Sequence, residues 1–361
     1  MKTVLQALFA AALMATATTS LHAQEAKPAA ETGQTMRKVK FLLNSGFSGA
    51  NAWFILADDR GYFRDEGLEV EFVDGKGAFT AAGRMATEGY DFGYGDFQAI
   101  VERAAADPKT SPVGVYMLMD RSPSVVVVPT GSKVKEPKDL EKLTITGHPT
   151  DVGLNTFEQY ASKAGIDRQS VTVVGNDGDW KTLLGEIKEG RADALFGYYS
   201  TVSAAVRSAG QDVASEVRFL QYPHVVPELY GSVVMTSQTL AKDDPDVVKG
   251  FLRAINRGVL ASACDPDAAI EALVKRDPKR IPAVERGRLV DTVVEDMGGK
   301  ATLASGVGGI DANRMEALLK LTAETRKLAR QPAVAEVFSD TFLPDVDDRK
   351  AAVGAAPCKP L

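Results

Sequence analysis

Short apolar or alternating runs recur through the first two thirds of the chain, each followed by a polar loop and a longer amphipathic stretch. Val39–Leu43, Leu68–Val73, Phe92–Tyr94, Val113–Leu118, Val125–Val128, Leu143–Thr146, Val171–Val174, Ala194–Phe196 and Ser232–Met235 read as strands. The stretches between them carry helical periodicity, so the pattern predicts an α/β protein with mostly parallel sheets and helices on both faces. Helix starts are signposted. Asp179 stands before Trp180–Glu189, which stops at Gly190, and Asp311 opens a helix to about Arg330. Asp244-Pro245 and Asp265-Pro266 each place a capping aspartate before a proline at the first helical position. After Met235 the pattern is almost wholly helical. About 320 ordered residues exceed what one core usually serves, so two domains are expected.

Phe41–Val73 reads as strand, polar loop, helix, glycine stop and second strand, with the loop Asn44-Ser-Gly-Phe-Ser-Gly49 between strand end and helix start. Ligands of open α/β sheets sit at the carboxyl ends of strands, where helix N–H groups point outward, so a small-molecule site is expected to begin here.

Residues 1–23 hold one lysine, an apolar run and small residues ending in Leu21-His-Ala23, the pattern of a secretory signal peptide. A flexible leader is expected over 24–37. No cysteine follows the signal segment, which disfavours a lipoprotein, and no later segment reaches about 18 apolar residues. Removing residues 1–23 moves the formal charge from −6 to −7. No basic patch with interleaved aromatics appears, so nucleic acid is not expected as a partner. Cys264 and Cys358 both remain, and an oxidising periplasm favours one disulfide between them over two thiols. Loop entropy allows that bridge up to about 4–5 kcal/mol. No metal site and no cofactor are expected, since two distant cysteines without clustered histidines do not make one.

Gly61-Tyr-Phe-Arg-Asp-Glu-Gly-Leu-Glu-Val70, the helix Asp244–Leu260 followed by Cys264-Asp-Pro-Asp-Ala-Ala269, and Phe338-Ser-Asp-Thr-Phe-Leu-Pro344 resemble corresponding segments of one family in order and spacing. These are the NMT1/THI5-like extracytoplasmic solute-binding proteins, related to sulfonate- and pyrimidine-precursor-binding subunits of ABC transporters. The resemblance spans about Lys38 to Pro344. It implies a two-lobed type II periplasmic binding fold, with 38–121 plus 229–345 as lobe 1, 122–228 as lobe 2 and 346–361 as a tail. Two crossings, near Met119–Val125 and Tyr222–Ser232, would form a hinge whose dihedrals Pro123, Pro223 and Pro227 restrict.

A cleft binder needs polar and aromatic groups converging from both lobes. Asn44 and Ser45 in the opening loop are candidates, with Trp53 either facing ligand or buried among Phe54, Ile55 and Leu56. In Asp91–Asp96, Tyr94 is expected to stack and Gly95 to let a ligand approach, while Asp96 contacts ligand or caps the next helix. His148, Thr150 and Asp151 end a strand of lobe 2, facing Asn44–Asn51. Thr150 or Asp151 caps a helix through Ala164, and His148 reads a ligand group or is merely solvated. Tyr198 and Tyr199 offer flat faces with polar tips, one for ligand and one for packing. Glu228 is either an amine partner or, the favoured reading, a hinge-surface residue.

Aromatic residues outnumber arginines in these segments, which tilts the expected solute toward a ring rather than a clamped anion. The expected role is solute capture for an ABC permease by a periplasmic monomer. A sulfonate- or taurine-type anion binder and a ligand-presenting sensor protein are the alternatives. An enzyme is not expected. Related pyrimidine synthases carry a Cys-Cys-Cys-Phe-Cys segment absent here, Ser200 sits in no Gly-x-Ser-x-Gly elbow, and His148 and His224 form no metal motif.

Overall fold

In this computed structural model the described residues are 35–299, 302 and 305–350. The signal-peptide reading of 1–23, nearly all of the leader, and Cys358 lie outside them; Cys264 ends the Pro245–Cys264 helix. Ten strands form two five-stranded sheets: β1 (Arg37–Leu42), β2 (Leu68–Val73), β3 (Phe92–Asp96), β4 (Val113–Met117), β5 (Ser124–Pro129), β6 (Thr144–Gly147), β7 (Thr172–Gly175), β8 (Ala194–Tyr198), β9 (Val217–Gln221) and β10 (Ser232–Thr236). The first sheet runs β2-β1-β3-β10-β4 and the second β7-β6-β8-β5-β9. β10 is antiparallel to β3 and β4, and β5 to β8 and β9, so each sheet carries one reversed strand. Helices flank both sheets, and the chain after β10 is helical. This is the mixed, mostly parallel, two-lobed architecture expected. β9 went unread because its Val-Arg-Phe-Leu-Gln run is only partly buried at a sheet edge.

β1 shows how pattern becomes layer. Lys38 and Lys40 are exposed while Val39 and Phe41 turn inward. Phe41 meets Phe54 and Phe251 edge to face, with ring centroids 4.9 and 5.1 Å away, and Phe251 stacks on Phe92 at 3.7 Å. A second core joins both lobes: Leu42, Phe97 and Met117 of the first belong to one cluster with Val126, Phe157 and Phe196 of the second.

The chain passes to the second sheet between Met117 and Ser124 and returns between Gln221 and Ser232. There the two crossings pair, with Met119 N–H donating to Ser232 O at 3.0 Å and Gly231 N–H to Met119 O at 2.9 Å. Arg314, in the Ala312–Thr325 helix, fastens both. It donates to Asp120 Oδ1 (2.9 Å), Asp120 O (2.6 Å) and Leu229 O (2.8 Å), and its guanidinium lies 3.8 Å from the Tyr230 ring centroid.

Three helix expectations change in detail. Asp179, Asp265 and Asp311 accept capping N–H bonds, whereas Asp244 caps nothing and faces Arg37. The Asp311 helix ends at Thr325, short of Arg330, and Lys327 turns to a φ of 50°. The segment after Asp151 breaks at Thr156 into Val152–Asn155 and Phe157–Ala164. No helix among the described residues is long and apolar enough to cross a membrane.

Candidate functional site

A cavity of about 610 Å³ opens between the carboxyl edges of the two sheets. Asn44, Ser45 and Gly75–Ala78 line it from one side, and His148, Thr150, Asp151, Asp177–Trp180, Leu183, Tyr198 and Thr201 from the other, with Arg288 reaching in from the C-terminal helices. Six residues singled out in the sequence therefore meet here: Asn44, Ser45, His148, Thr150, Asp151 and Tyr198.

Asn44 and Ser45 of the opening loop do face His148, Thr150 and Asp151 across the cavity, but its later amides turn elsewhere. The amides of the opening loop are already used: Gly49 N–H donates to the buried Glu285 carboxylate at 2.6 Å and Ser48 N–H to Asn51 Oδ1 at 2.8 Å. Gly75–Ala78 shares the facing role with Asn44 and Ser45. A Cβ on Gly77, whose φ is 106°, would lie 2.5 Å from Thr150 Oγ1, so the lobes touch here through a glycine.

Several candidates land elsewhere. Trp53 is fully buried in the first core, behind the Pro245–Cys264 helix that crosses its backbone at Gly258. Its apolar neighbours outweighed its position near the loop. Tyr199 packs on Phe219, ring centroids 4.7 Å apart, while its neighbour Tyr198 faces the cavity. Glu228 pairs with Lys163 at 2.6 Å on the hinge surface. Gly95 is required by packing: a Cβ would sit 2.4 Å from Ala81 Cβ and 2.6 Å from Ala78 O.

Tyr94 and Asp96 lie beneath the cavity, fully buried at the end of β3. Asp96 takes the capping role weighed for it. Its Oδ1 accepts Gln98 N–H at 2.9 Å and caps the Phe97–Ala106 helix, while Oδ2 has no partner among the described residues. Ser232, paired with Asp96 across the β3–β10 ladder, sets its hydroxyl beside both the Tyr94 and Tyr198 phenols, and these three buried oxygens meet one another and no further partner among the described residues. Ser124, opposite Tyr198 on β5, and Thr146 on β6 add two more buried hydroxyls without partners among the described residues. Buried polar groups are ordinarily satisfied, so such a concentration drawn from both sheets is unusual.

Burial dominates the electrostatics. It pushes the Asp96 carboxyl well above the usual range, against the Gln98 N–H bond, with Glu102 and Asp151 adding repulsion. Burial also raises Asp151 to about 6, partly offset by N–H bonds from Leu154 and Gly153. Both phenols are pushed up by burial. Asp296, on a π-helical turn at Thr292–Met297, is another buried carboxyl held high by burial, with Oδ2 unpartnered among the described residues. At the opposite end, burial depresses the Arg288 guanidinium, which donates to Thr201 Oγ1 at 2.8 Å and keeps Nε unpartnered among the described residues. His148 Nδ1 lies 2.9 Å from Thr150 Oγ1, and Nε2 lies 3.7 Å from Asp177.

Residues 50–269 match the family described as NMT1/THI5 like. The chain belongs to that family. This NMT1/THI5-like chain is 25% identical to the formylaminopyrimidine-binding protein of Halalkalibacterium halodurans over 313 residues, which is 85% of this chain and 91% of that protein. It is 22% identical over 258 residues to 4-amino-5-hydroxymethyl-2-methylpyrimidine phosphate synthase of Legionella pneumophila, covering 69% and 77%. The alkanesulfonate-binding protein SsuA from Xanthomonas axonopodis pv. citri, solved bound to MOPS, superposes with a TM-score of 0.64 at 16% identity, over 84% of this chain and 98% of that one. The shared fold is the type II periplasmic binding fold.

Sequence reasoning missed Trp180, which lines the cavity and lies against Gly197, where a Cβ would come within 3.1 Å of the indole. Its signal was present: Asn176-Asp-Gly-Asp-Trp180 is a strand-end loop entering a helix. Arg288 had no local signal, because a helical segment distant in sequence carries it to the cavity.

Proposed function

We propose that this protein is the extracytoplasmic solute-binding component of an ABC importer, which captures a small aromatic or heterocyclic solute between its lobes and delivers it to a membrane permease. The observation that carries this reading is the set of buried polar atoms drawn from both sheets that have no partner outside the set among the described residues, Asp96 Oδ2, Tyr94 and Ser232 on one and Tyr198, Ser124 and Thr146 on the other. A solute satisfying them touches both lobes, and so shifts the population toward the closed form that a permease would recognise. Trp180 supplies a flat face at the cavity wall for a ring. The formylaminopyrimidine-binding relative supports a pyrimidine-type solute. Arg288 Nε favours a second reading, a sulfonate-type anion whose acidic group sits at that end of the cavity.

The proposal includes a mature chain beginning at Gln24, a periplasmic location, a monomer, the Cys264–Cys358 bridge and the lobe boundaries 38–121 plus 229–345 and 122–228. It also holds that the site binds without catalysing. Native mass spectrometry of freshly purified protein, with thermal shift against pyrimidines, aromatic acids and sulfonates, tests it. A carried or stabilising solute in that panel is expected. Complete indifference to it, with no carried mass, refutes solute capture.

A further inference from the structure

Arg288 reaches the cavity wall from the helix Pro282–Asp291 and donates from Nη2 to Thr201 Oγ1 at 2.8 Å, on the first turn of the helix Tyr199–Ser208. That second helix follows β8, and no side chain caps its amino end. A guanidinium and the positive end of a helix dipole thus meet at one threonine, a repulsive arrangement unless an anion lies between them. The described residues supply none. No carboxylate lies within ion-pair distance of Arg288 among them, and Glu285, the acid that acts on it, is engaged by Gly49 N–H at 2.6 Å and by Arg280 at 3.5 Å. The acids of the cavity lining are engaged as well: Asp151 and Asp179 cap helices, and Asp177 faces His148. Arg288 Nε is sealed from solvent without a partner among the described residues, and burial depresses the guanidinium. The cation is not needed to hold the two helices together, because Arg207 and Asp291 already join them at 2.6 Å. A buried cation with no acid beside it is costly, and a bound anion relieves that cost.

We propose that Arg288 and the amino end of the Tyr199–Ser208 helix hold the carboxylate of a small aromatic acid whose ring lies against Trp180. This inference rests on the solute-capture reading and deepens it. Nε and Nη2 lie on one edge of the planar guanidinium and match the two coplanar oxygens of a carboxylate, whereas the third oxygen of a sulfonate stands out of that plane. Trp180 lines the same cavity and offers a flat face to the ring. Arg288 comes from the helices after β10 and Thr201 from the helix after β8, so the acid group touches both lobes. The charge of the solute, and not its ring alone, is then a condition for closure.

The test uses the full-length mature protein, with Arg288→Gln and Arg288→Lys as variants. Benzoate, benzenesulfonate and benzamide are the probes, matched in ring and differing in the polar group. Calorimetry is expected to show the wild type binding benzoate more tightly than the other two. Arg288→Gln is expected to lose roughly tenfold or more in benzoate affinity. Arg288→Lys should recover only part of it, since an ammonium keeps the charge without the fork, and benzamide affinity should not change in either variant. Ligand-free Arg288→Gln is expected to melt at or above the wild-type temperature, because a buried cation without an acid is gone; a clearly lower melting temperature would make Arg288 a structural tie and overturn the proposal. Benzoate affinity unchanged in Arg288→Gln overturns it too, and benzenesulfonate bound as tightly as benzoate overturns the choice of a carboxylate. Benzamide bound while neither acid is bound refutes the anion site and leaves solute capture standing. Indifference to all three probes refutes the proposal and leaves capture to the wider panel.

Discussion

Gly77→Ala is expected to wedge the cleft open while leaving each lobe folded. The added Cβ would lie 2.5 Å from Thr150 Oγ1 and 2.9 Å from Thr150 Cβ, on the opposite lobe. Carbon contacts are comfortable near about 3.5 Å, so the rims must retreat by about 1 Å or more. The backbone adds its own cost, because a φ of 106° with ψ of 140° belongs to glycine, and alanine there costs roughly 1–3 kcal/mol. That second cost falls on the lobe whether it is open or closed, whereas the contact with Thr150 exists only when closed. If closure loses about 2 kcal/mol, affinity falls about thirtyfold. Calorimetry with a bound solute from the panel, together with scattering for ligand-induced compaction, measures the effect. Thr150→Gly in the Gly77→Ala background removes the opposing side chain and is expected to restore most of the affinity without restoring the lobe's own stability. Failure of this double variant to improve on Gly77→Ala would show that the two residues do not meet in the bound state.

Trp180→Ala is expected to weaken binding up to about tenfold with little change in melting temperature, and Trp53→Ala to cost about 3–5 kcal/mol of stability in urea unfolding. The opposite pattern would relocate the cleft. Arg314→Ala leaves the buried Asp120 carboxylate and two hinge carbonyls without their donor, and should cost about 3–5 kcal/mol; a loss below about 1 kcal/mol would refute its role as hinge fastener. Asp151 is raised from 3.8 to about 6 in the closed fold, so its contribution to ligand-free stability is most favourable below pH 3.8 and declines as the pH rises through about 6. The difference is at most about 3 kcal/mol, read as a pH-dependent gap in stability between wild type and Asp151→Asn. A gap that does not change between pH 4 and pH 7 would contradict it.

Much of the fold was legible because periodicity and helix signals are local. Runs such as Val125–Val128 and the proline-led helices at Pro245 and Pro266 declare themselves within a few residues. Positions at strand ends were also legible: Asn44, His148, Asp151 and Tyr198 each follow or finish a strand, and each reaches the cavity. Which side chain of a strand-end pair faces ligand was not legible. Tyr198 and Tyr199 differ by one residue, yet one lines the cavity and the other packs on Phe219. Trp53 is buried for a reason no local pattern shows, since the distant Pro245–Cys264 helix covers it.

By itself the sequence determined the α/β class, the order of most strands and helices, and the loops from which a ligand site would be drawn, because backbone propensity and apolar spacing act over neighbouring residues. Tertiary structure alone decided that Glu285 occupies the opening loop's Gly49 amide and that Gly77 meets Thr150. It also decided that Arg314 ties the two crossings together. Those outcomes depend on contacts between segments far apart in the chain, where packing selects which groups are satisfied internally and which are not.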